Sequence, residues 1–340
     1  MLAQPFWSRW LKLWLVVVLV ACGGDQAAPG PEPAASGPRV RGEALPGRLL
    51  FGREGVIWQW QGDEARPLFG NGMATQPAWS PTGDRIAYIE RDNSFSNLIL
   101  ADAQGETLAR LTDYATTQPP NSLERVYASR WAFYPAWHPD GMQIALAVQR
   151  STPVGTPPTD YNLVLNLVPA GPGVARTLAA DERGQVSRSV FSPDGAVVVF
   201  VRAGIGPEGR QRLYRLPMSG GEATPLAGAP EPSYDPAFSP DGVWLAFAAR
   251  DGGRTDIFSL PSGGVGVPLR LTNLGAARAP AFSPDGRHLA FLATTPGEPG
   301  FDLWLADLSL APTGALQAEA PRRLTTGLNL DPNAGLAWGP

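Results

Sequence analysis

The chain has 340 residues, of which 44% are apolar and 9% aromatic, and its formal net charge at neutral pH is −4. This composition favours an ordered protein over a disordered one. The sequence has no concentrated basic face, which argues against nucleic acid as a partner, because phosphate binding needs clustered Lys and Arg.

The N-terminal residues have the features of a secretory signal. Arg9 and Lys12 precede an apolar run that is too short for a comfortable membrane span and that ends in "LVAC" at Cys22. This ending resembles the bacterial lipoprotein signal, in which cleavage before the cysteine follows lipid transfer to its sulfur. We therefore expect residues 1–21 to be a signal peptide and Cys22 to carry a lipid that anchors the protein to a bacterial membrane. The alternative is an ordinary signal peptide or a short membrane anchor.

Residues 22–46 are a predicted tether. The segment after Cys22 is rich in Pro, Gly and Ala and has no apolar periodicity, so it cannot bury enough surface to offset the entropy of ordering. Cys22 is also the only cysteine, which excludes a disulfide within the chain. We expect an extracytoplasmic protein whose folded domain covers residues 47–340.

The folded domain repeats one plan. Each unit has an apolar segment that ends in an aromatic residue, a turn of the type Pro-Asp-Gly, an alternating apolar run and two further strand-like segments. The turn prolines are Pro81, Pro139, Pro193, Pro240 and Pro284. Four short antiparallel strands per unit, at this period, predict the blades of a β-propeller.

The repeated Pro-Asp-Gly is predicted to fold the chain rather than to carry chemistry. Pro presets the first φ angle of a type I turn, Asp suits the next position, and Gly takes a left-handed conformation. We expect Asp140, Asp194, Asp241 and Asp285 to shape hairpins around one rim, where they would be too far apart to share a metal ion.

The two ends of the domain supply parts of one further blade. The C-terminal "NAGLAWGP" matches a first strand, and the segment after Pro46 supplies three more strands. Their pairing would complete the ring and remove open sheet edges. The predicted fold class is all-β: a monomeric six-bladed propeller of four-stranded antiparallel blades, closed by N- and C-terminal strands that share one blade.

The motif Pro-Asp-Gly followed by Leu-Ala-Phe, with Trp or Phe before Ser-Pro, resembles the TolB-type repeat, a relative of the WD-repeat propellers. Five near-complete copies carry this resemblance, and Thr82 and His138 depart from the motif. The resemblance covers the propeller only. TolB has an additional α/β domain, for which we expect no room before residue 47, so partners bound through that domain are not carried over.

Two candidate binding sites lie on the face opposite the Pro-Asp-Gly turns. The first is the longest insertion, residues 113–134, which carries aromatic and arginine side chains of the kind that anchor interfaces. Its candidate residues are Tyr114, Arg125, Tyr127, Arg130, Trp131 and Tyr134. In the alternative interpretation, these aromatic residues pack beneath the insertion itself.

The second candidate is the mouth of the central channel, which the residues just before each first strand should line. Alignment of the repeats places Gln76, Tyr134, Ser189, Asp235, Ala279 and Gly335 there. Asp235 is the only carboxylate in this set, and we include it among the candidate binding residues. One carboxylate is too few for a metal site of oxygen ligands.

No catalytic motif is visible in the sequence. Lys12, the only lysine, would leave with the signal peptide, and His138 and His288 fit a turn and a strand. We therefore expect no enzyme, no cofactor and no metal. The predicted function is a membrane-anchored lipoprotein whose propeller binds a protein or a cell-envelope polymer. The alternative is a metal-dependent hydrolase with its site in the channel.

Overall fold

The computed structural model describes residues 39–153, 162–182, 184–204 and 209–340. The predicted signal peptide, the lipid site at Cys22 and the first part of the tether lie outside these residues and stay predictions. Within the described ranges, no helix combines the length and the apolar character needed to cross a bilayer.

The described residues form 27 strands and one short helix, α1 (Leu123–Tyr127). In chain order the strands are β1 (Arg39–Val40), β2 (Leu45–Arg53), β3 (Val56–Gly62), β4 (Glu64–Phe69), β5 (Ala74–Trp79), β6 (Arg85–Arg91), β7 (Ser96–Asp102), β8 (Thr107–Arg110), β9 (Ala132–Trp137), β10 (Gln143–Gln149), β11 (Leu163–Pro169), β12 (Arg176–Ala179), β13 (Gly184–Phe191), β14 (Val197–Gly204), β15 (Gln211–Pro217), β16 (Thr224–Pro225), β17 (Ser233–Phe238), β18 (Trp244–Asp251), β19 (Arg254–Pro261), β20 (Leu269–Arg270), β21 (Ala277–Phe282), β22 (His288–Ala293), β23 (Asp302–Leu310), β24 (Leu316–Ala318), β25 (Arg322–Arg323), β26 (Thr325–Thr326) and β27 (Leu336–Gly339).

Six antiparallel sheets are the blades of a propeller. From the centre outward, the strand orders are β27-β2-β3-β4 in blade 1, β5-β6-β7-β8 in blade 2, β9-β10-β11-β12 in blade 3, β13-β14-β15-β16 in blade 4, β17-β18-β19-β20 in blade 5 and β21-β22-β23-β24 in blade 6, where β25 also pairs with β23. The predicted all-β, six-bladed fold is confirmed.

The Pro-Asp-Gly turns join the first and second strands of blades 2 to 6. Their glycines, Gly83, Gly141, Gly195, Gly242 and Gly286, have φ angles of 69° to 71°. In blade 5, Oδ1 of Asp241 accepts hydrogen bonds from the Ser239 hydroxyl at 2.5 Å and from the Val243 amide at 3.0 Å. The turn carboxylates thus hold their own hairpins. We call the side of the propeller with these turns the turn face, and the opposite side the loop face.

The recurring Leu-Thr at the end of a unit ties the third strand to the connection that follows it. Thr272 Oγ1 accepts a hydrogen bond from the Ile257 amide at 2.9 Å and donates one to Asp256 at 2.9 Å. Thr325 and Asp302 make the same bond in blade 6. A buried hydroxyl and a buried carboxylate therefore satisfy each other at the edge of the blade.

Apolar contacts between neighbouring blades form the core. Ala246 and Ala248 of blade 5 belong to one buried cluster with Leu289 and Phe291 of blade 6. Small residues on one sheet leave room for large residues on the next, so the two sheets approach closely. This packing accounts for the alternating apolar runs such as Leu-Ala-Phe in the second strands.

The two ends of the domain close the ring. β27 pairs with β2, with Leu50 opposite Ala337 and Arg48 opposite Gly339. The C-terminal strand therefore lies innermost in a blade whose other strands come from the N-terminal end, as predicted.

A strap formed by the last residues of the predicted tether joins blades 6 and 1. β1 pairs with β26, with Val40 opposite Thr325. The Glu43 carboxylate then accepts a hydrogen bond from Arg322 Nε at 2.7 Å, and the Glu43 carbonyl accepts one from Trp60 Nε1 at 3.1 Å. Because Arg322 lies in blade 6 and Trp60 in blade 1, this segment holds the two blades together.

Candidate functional site

A channel with a volume of about 590 Å³ runs through the propeller, and the first strands of all six blades line it. At the turn face, the wall is a ring of prolines: Pro81, Pro139, Pro193, Pro240, Pro284 and Pro340. The middle of the wall is apolar, with Ala78, Ala136, Val190, Ala237, Ala281 and Ala337. Polar side chains collect at the loop-face mouth.

The backbone at this mouth is held in the left-handed region. Gln76, Tyr134, Asp235 and Ala279 have φ angles of 52°, 57°, 55° and 51°, and each is followed by proline. A non-glycine residue in this region costs about 1 to 3 kcal/mol, which the surrounding structure must outweigh. Each of these residues lies in a bulge of its first strand, and bulges redirect side chains.

Arg188 of β13 spans the mouth from blade 4 to the opposite blade. Its Nη2 donates a hydrogen bond to the Asn333 carbonyl at 2.6 Å, and its Nη1 lies 3.2 Å from Oδ1 of Asp235. Its guanidinium carbon is 4.7 Å from the centre of the Tyr134 ring. Gly335 leaves space for this group, since an added Cβ would lie 3.0 Å from Nη1. One side chain therefore contacts blades 1, 3 and 5.

Asp235 is the anionic partner at the mouth, and its side chain is 4% exposed. Arg278 donates a hydrogen bond from Nε to Oδ2 at 2.6 Å, and the Ala279 amide donates another at 3.1 Å. Burial raises the pKa of Asp235, but the charges of Arg188 and Arg278 outweigh burial and leave the pKa below its ordinary value. Asp235 is therefore ionised at neutral pH.

Gln76 and Tyr134 complete a ring of contacts around the mouth. Gln76 Oε1 accepts a hydrogen bond from the Tyr134 amide at 2.8 Å, and Nε2 donates one to the Asn333 carbonyl at 3.3 Å. Polar and cation–π contacts therefore connect all six blades in turn, from Asn333 in blade 1 to Ala279 in blade 6.

The insertion between blades 2 and 3 contains α1, and Arg125 fixes it to the propeller. The Ser122 hydroxyl caps α1 by accepting a hydrogen bond from the Arg125 amide at 3.1 Å. The Arg125 side chain donates to the Ser94 hydroxyl at 2.6 Å and to the Gln118 carbonyl at 2.8 Å. Arg125 therefore shapes the insertion.

Tyr114 and Arg130 form the base of the insertion. The Arg130 guanidinium carbon lies 4.5 Å from the centre of the Tyr114 ring. Burial raises the pKa of Tyr114, and its backbone amide donates a hydrogen bond to Asn97 at 2.8 Å. For Tyr114, the interpretation that an aromatic residue packs beneath the insertion fits the structure.

Aromatic side chains connect the insertion to the channel mouth. Trp131 stacks on Phe133 with ring centres 6.0 Å apart, and Phe133 lies 5.9 Å from Tyr134. Beyond Asp235, the Arg278 guanidinium carbon lies 4.3 Å from the centre of the Tyr234 ring. We call this continuous set the mouth band: Trp131, Phe133, Tyr134, Arg188, Asp235, Arg278 and Tyr234.

The structure brings together three of the predicted residues and separates the others. Trp131, Tyr134 and Asp235 belong to the mouth band. Of the remaining candidates, Tyr114, Arg125 and Arg130 hold the insertion in place, and Tyr127 is half-buried at the end of α1. Their role in binding stays a prediction.

In blade 4, the sequence alignment selected Ser189, but the side chain that makes the contacts at the mouth is Arg188. Arg188 lies four residues before the turn residue Ser192, the spacing that Gln76 has to Ser80. This spacing is the signal that would have identified it. Ser189 occupies the position of the proline that follows the bulge residue in other blades.

The metal-dependent alternative finds no support in the side chains. Among the described residues, no group of three or more His, Cys, Asp and Glu could hold a metal ion. At the mouth, both oxygens of Asp235 already accept hydrogen bonds from arginine side chains.

Comparison with solved structures identifies the fold, although no family model matches the chain. A putative TolB from Agrobacterium tumefaciens superposes with a TM-score of 0.52 at 18% identity, over 84% of this chain and 92% of that one. TolB from Acinetobacter baumannii gives a TM-score of 0.51 at 17% identity, over 81% of this chain and 68% of that one. The chain has a TolB-like β-propeller fold. At 18% and 17% identity, the similarity to the TolB structures shows a shared fold and nothing further.

The prediction that this chain is not an enzyme is contradicted by a relative that is named as a peptidase. "Uncharacterized peptidase YuxL" of Bacillus subtilis (strain 168) is 27% identical over 185 residues, which is 53% of this chain and 22% of that protein. The chain thus spans about a fifth of the length of this relative. A protein named as a peptidase shares sequence with a TolB-like propeller that lacks catalytic motifs, so the missing motifs do not exclude an enzyme.

Proposed function

We propose that this TolB-like propeller is an extracytoplasmic, lipid-anchored scaffold that binds a protein or a cell-envelope polymer through its loop face. The observation that carries the proposal is the continuity of the mouth band. Trp131 of the insertion and Tyr234 of blade 5 belong to one chain of contacts that crosses the channel mouth.

The composition of the mouth band supports recognition. Tyr, Trp and Arg dominate the energetic centres of interfaces because they bury a large area and keep a polar end. Trp131, Tyr134 and Tyr234 are half-buried, so each retains surface for a partner. Neighbouring contacts fix their positions, which lowers the entropy lost on binding.

The insertion supplies a second, apolar part of the same surface. On α1, Leu123 and Val126 are 61% and 42% exposed and lie three residues apart, on one side of the helix. A partner that covered the mouth band and α1 would bury these side chains.

Site-specific photo-crosslinking in cells tests the proposed binding face. A photoreactive phenylalanine analogue replaces Phe133 in the mouth band or, as a control, Val243 on the turn face, which is 51% exposed. We expect a discrete crosslinked product from position 133 only. Equal products from both positions, or a product from position 243 alone, would contradict binding through the loop face.

Lipid attachment at Cys22 is the second part of the proposal. We expect Cys22→Ser to abolish labelling by a radioactive fatty acid without changing the melting temperature, because Cys22 precedes the described propeller. Because cleavage before the cysteine follows lipid transfer, the variant should also retain residues 1–21. Label that persists on Cys22→Ser would contradict the anchor.

A further inference from the structure

The channel mouth holds an excess of positive charge in a confined space. We infer that Arg188 and Arg278 form a binding site for a single carboxylate group, and this inference does not depend on the proposed scaffold function. The site lies at the loop-face end of the channel, where Asp235 holds the two guanidinium groups side by side.

The charge balance of the site favours an anion. Arg188 and Arg278 carry two positive charges, and Asp235 offsets one of them, so the three side chains keep one net positive charge. The Asp235 side chain is 4% exposed, whereas those of Arg188 and Arg278 are 16% and 23% exposed. Solvent and ligands therefore reach the two guanidinium groups, which carry the surplus positive charge, more readily than the carboxylate of Asp235.

The two arginines also keep donors for a ligand. A guanidinium group has five N–H donors. The contacts of Arg278 with Asp235 use Nε and Nη2. Arg188 uses Nη2 on the Asn333 carbonyl and Nη1 on Asp235. Among the described residues, Nη1 of Arg278 and Nε of Arg188 take part in none of these contacts, so each arginine has N–H groups left for a carboxylate.

Ser189 gives an independent sign of a ligand at this place. Its hydroxyl is buried and has no hydrogen-bond partner among the described residues, although Ser189 lines the channel beside Arg188. Pro77, Pro135, Pro236 and Pro280 occupy the matching position in other blades. A buried hydroxyl without a partner costs stability, and a ligand oxygen at the mouth would give it one.

The surroundings favour a carboxylate over a phosphate. A phosphate with two negative charges would exceed the single surplus charge and would meet Asp235 at close range. The channel wall next to the site is a ring of Ala and Val side chains, which suits the carbon atoms that a carboxylate carries. The channel volume of about 590 Å³ lies within the range of ordinary small-ligand sites.

Calorimetric titration of the full-length protein tests the site with a matched pair of probes. N-acetylglycine presents a carboxylate, and N-acetylglycinamide replaces it with a neutral amide of nearly the same shape. We expect the acid to bind and the amide to bind about 10- to 100-fold more weakly, because hydrogen bonds to charged groups are the strong ones. Equal binding of both probes, or no binding of the acid, would overturn the inference without any variant.

Three variants locate the binding. Arg188→Gln and Arg278→Gln should each lower the affinity for N-acetylglycine at least about tenfold. Arg85→Gln is the control, because Arg85 makes similar contacts on the turn face. Its guanidinium carbon lies 4.9 Å from the centre of the Trp137 ring, and its Nη2 donates a hydrogen bond to the Gly141 carbonyl at 2.9 Å. Unchanged affinity in both mouth variants, or an equal loss in Arg85→Gln, would place the site elsewhere.

Acetate and inorganic sulfate identify the source of the carboxylate. Tighter binding of N-acetylglycine than of acetate would indicate a peptide chain end, and equal binding would indicate a small organic acid. Either result supports a carboxylate site. Sulfate that binds more tightly than both would overturn the preference for a single negative charge.

Discussion

The two faces of the propeller use the same strands in opposite ways. On the turn face, the turn glycines of blades 2 to 6 have almost the same φ angle, and in blades 4 to 6 the Ser and Asp side chains of each turn bond to each other. On the loop face, the residues four positions before those turn residues differ in every blade, and the side chains of Gln76, Arg188 and Asp235 bond to other blades. Repetition therefore marks the positions that fold each blade, and variation marks the positions that combine blades into a site.

Deletion of residues 333–340 should have the largest effect, because both faces depend on the closed ring. The truncation removes β27 at the channel wall and the Asn333 carbonyl that Arg188 contacts. We expect a loss of several kcal/mol in the free energy of unfolding, a large share of typical domain stability. Chemical denaturation measures this loss, and an unchanged midpoint would show that ring closure contributes little.

Asp235→Ala should have the next largest effect and show that the loop face also contributes to stability. The variant leaves Arg188 and Arg278 without their shared anion, and breaking a buried ion pair costs about 3 to 5 kcal/mol. Asp241→Ala is the control on the turn face, where the carboxylate is exposed. We expect this variant to lose about 0.5 to 1.5 kcal/mol of the free energy of unfolding, because it lacks the hydrogen bonds of the carboxylate. A larger loss in the control would reverse this ranking of the two faces.

The pH dependence of unfolding tests the same ion pair without disrupting packing. The folded-state pKa of Asp235 is lowered, whereas an unfolded Asp has a pKa of about 3.9. The stabilisation is therefore fully present above about pH 4 and is lost as the pH falls through the lower folded-state pKa. Between pH 5 and pH 2.5, the free energy of unfolding, measured by denaturation, should fall less steeply with decreasing pH in Asp235→Asn than in the natural protein. Parallel curves would contradict this assignment.

Gly242→Val should have an intermediate effect, confined to one turn. A β-branched residue at a φ angle of 71° is strained by about 1 to 3 kcal/mol. Asp241→Asn should cost much less, because Asn suits the same turn position. Thermal melts of the two variants give the comparison. Equal shifts would mean that the carboxylate charge, rather than the glycine conformation, holds the turn.

The double variant Tyr127→Ala, Trp131→Ala should have the smallest effect on stability and a large effect on binding. Both side chains are half-buried on the loop face, so we expect a stability change of at most about 1 kcal/mol. The crosslinked product at position 133 should disappear. A product of unchanged yield in the double variant would remove the insertion from the binding surface.

The fold could be predicted from the sequence because every blade repeats the same turn residues and the same alternating apolar runs. Pro81, Pro139 and Gly242 specify turns through contacts within a few residues, and the Leu-Ala-Phe runs specify which side of each strand is buried. Closure was also predictable, since the C-terminal Ala-Trp repeats the start of a first strand. These features are local and recur, so one copy supports the interpretation of the next.

The candidate site was predicted only in part because its contacts are not local. Arg188 is 145 positions from Asn333 in the chain, and the two meet only after the ring closes. Blade 4 also lacks the proline that follows the bulge residue in other blades, because Ser189 stands in its place. Arg278 precedes its bulge by one position, where the other blades give no matching charge.

The strap at the N-terminal end has a mechanical consequence. In a protein held by its N-terminal segment, tension enters the propeller where the chain is first bonded to it, and among the described residues that place is β1. The pairing of β1 with β26 and the hydrogen bond from Arg322 to the Glu43 carboxylate resist this force before it reaches β2, the strand that pairs with β27. In a protein anchored through Cys22 as proposed, a load would therefore separate β1 from β26 before it reached the pairing of β2 with β27 that closes the ring.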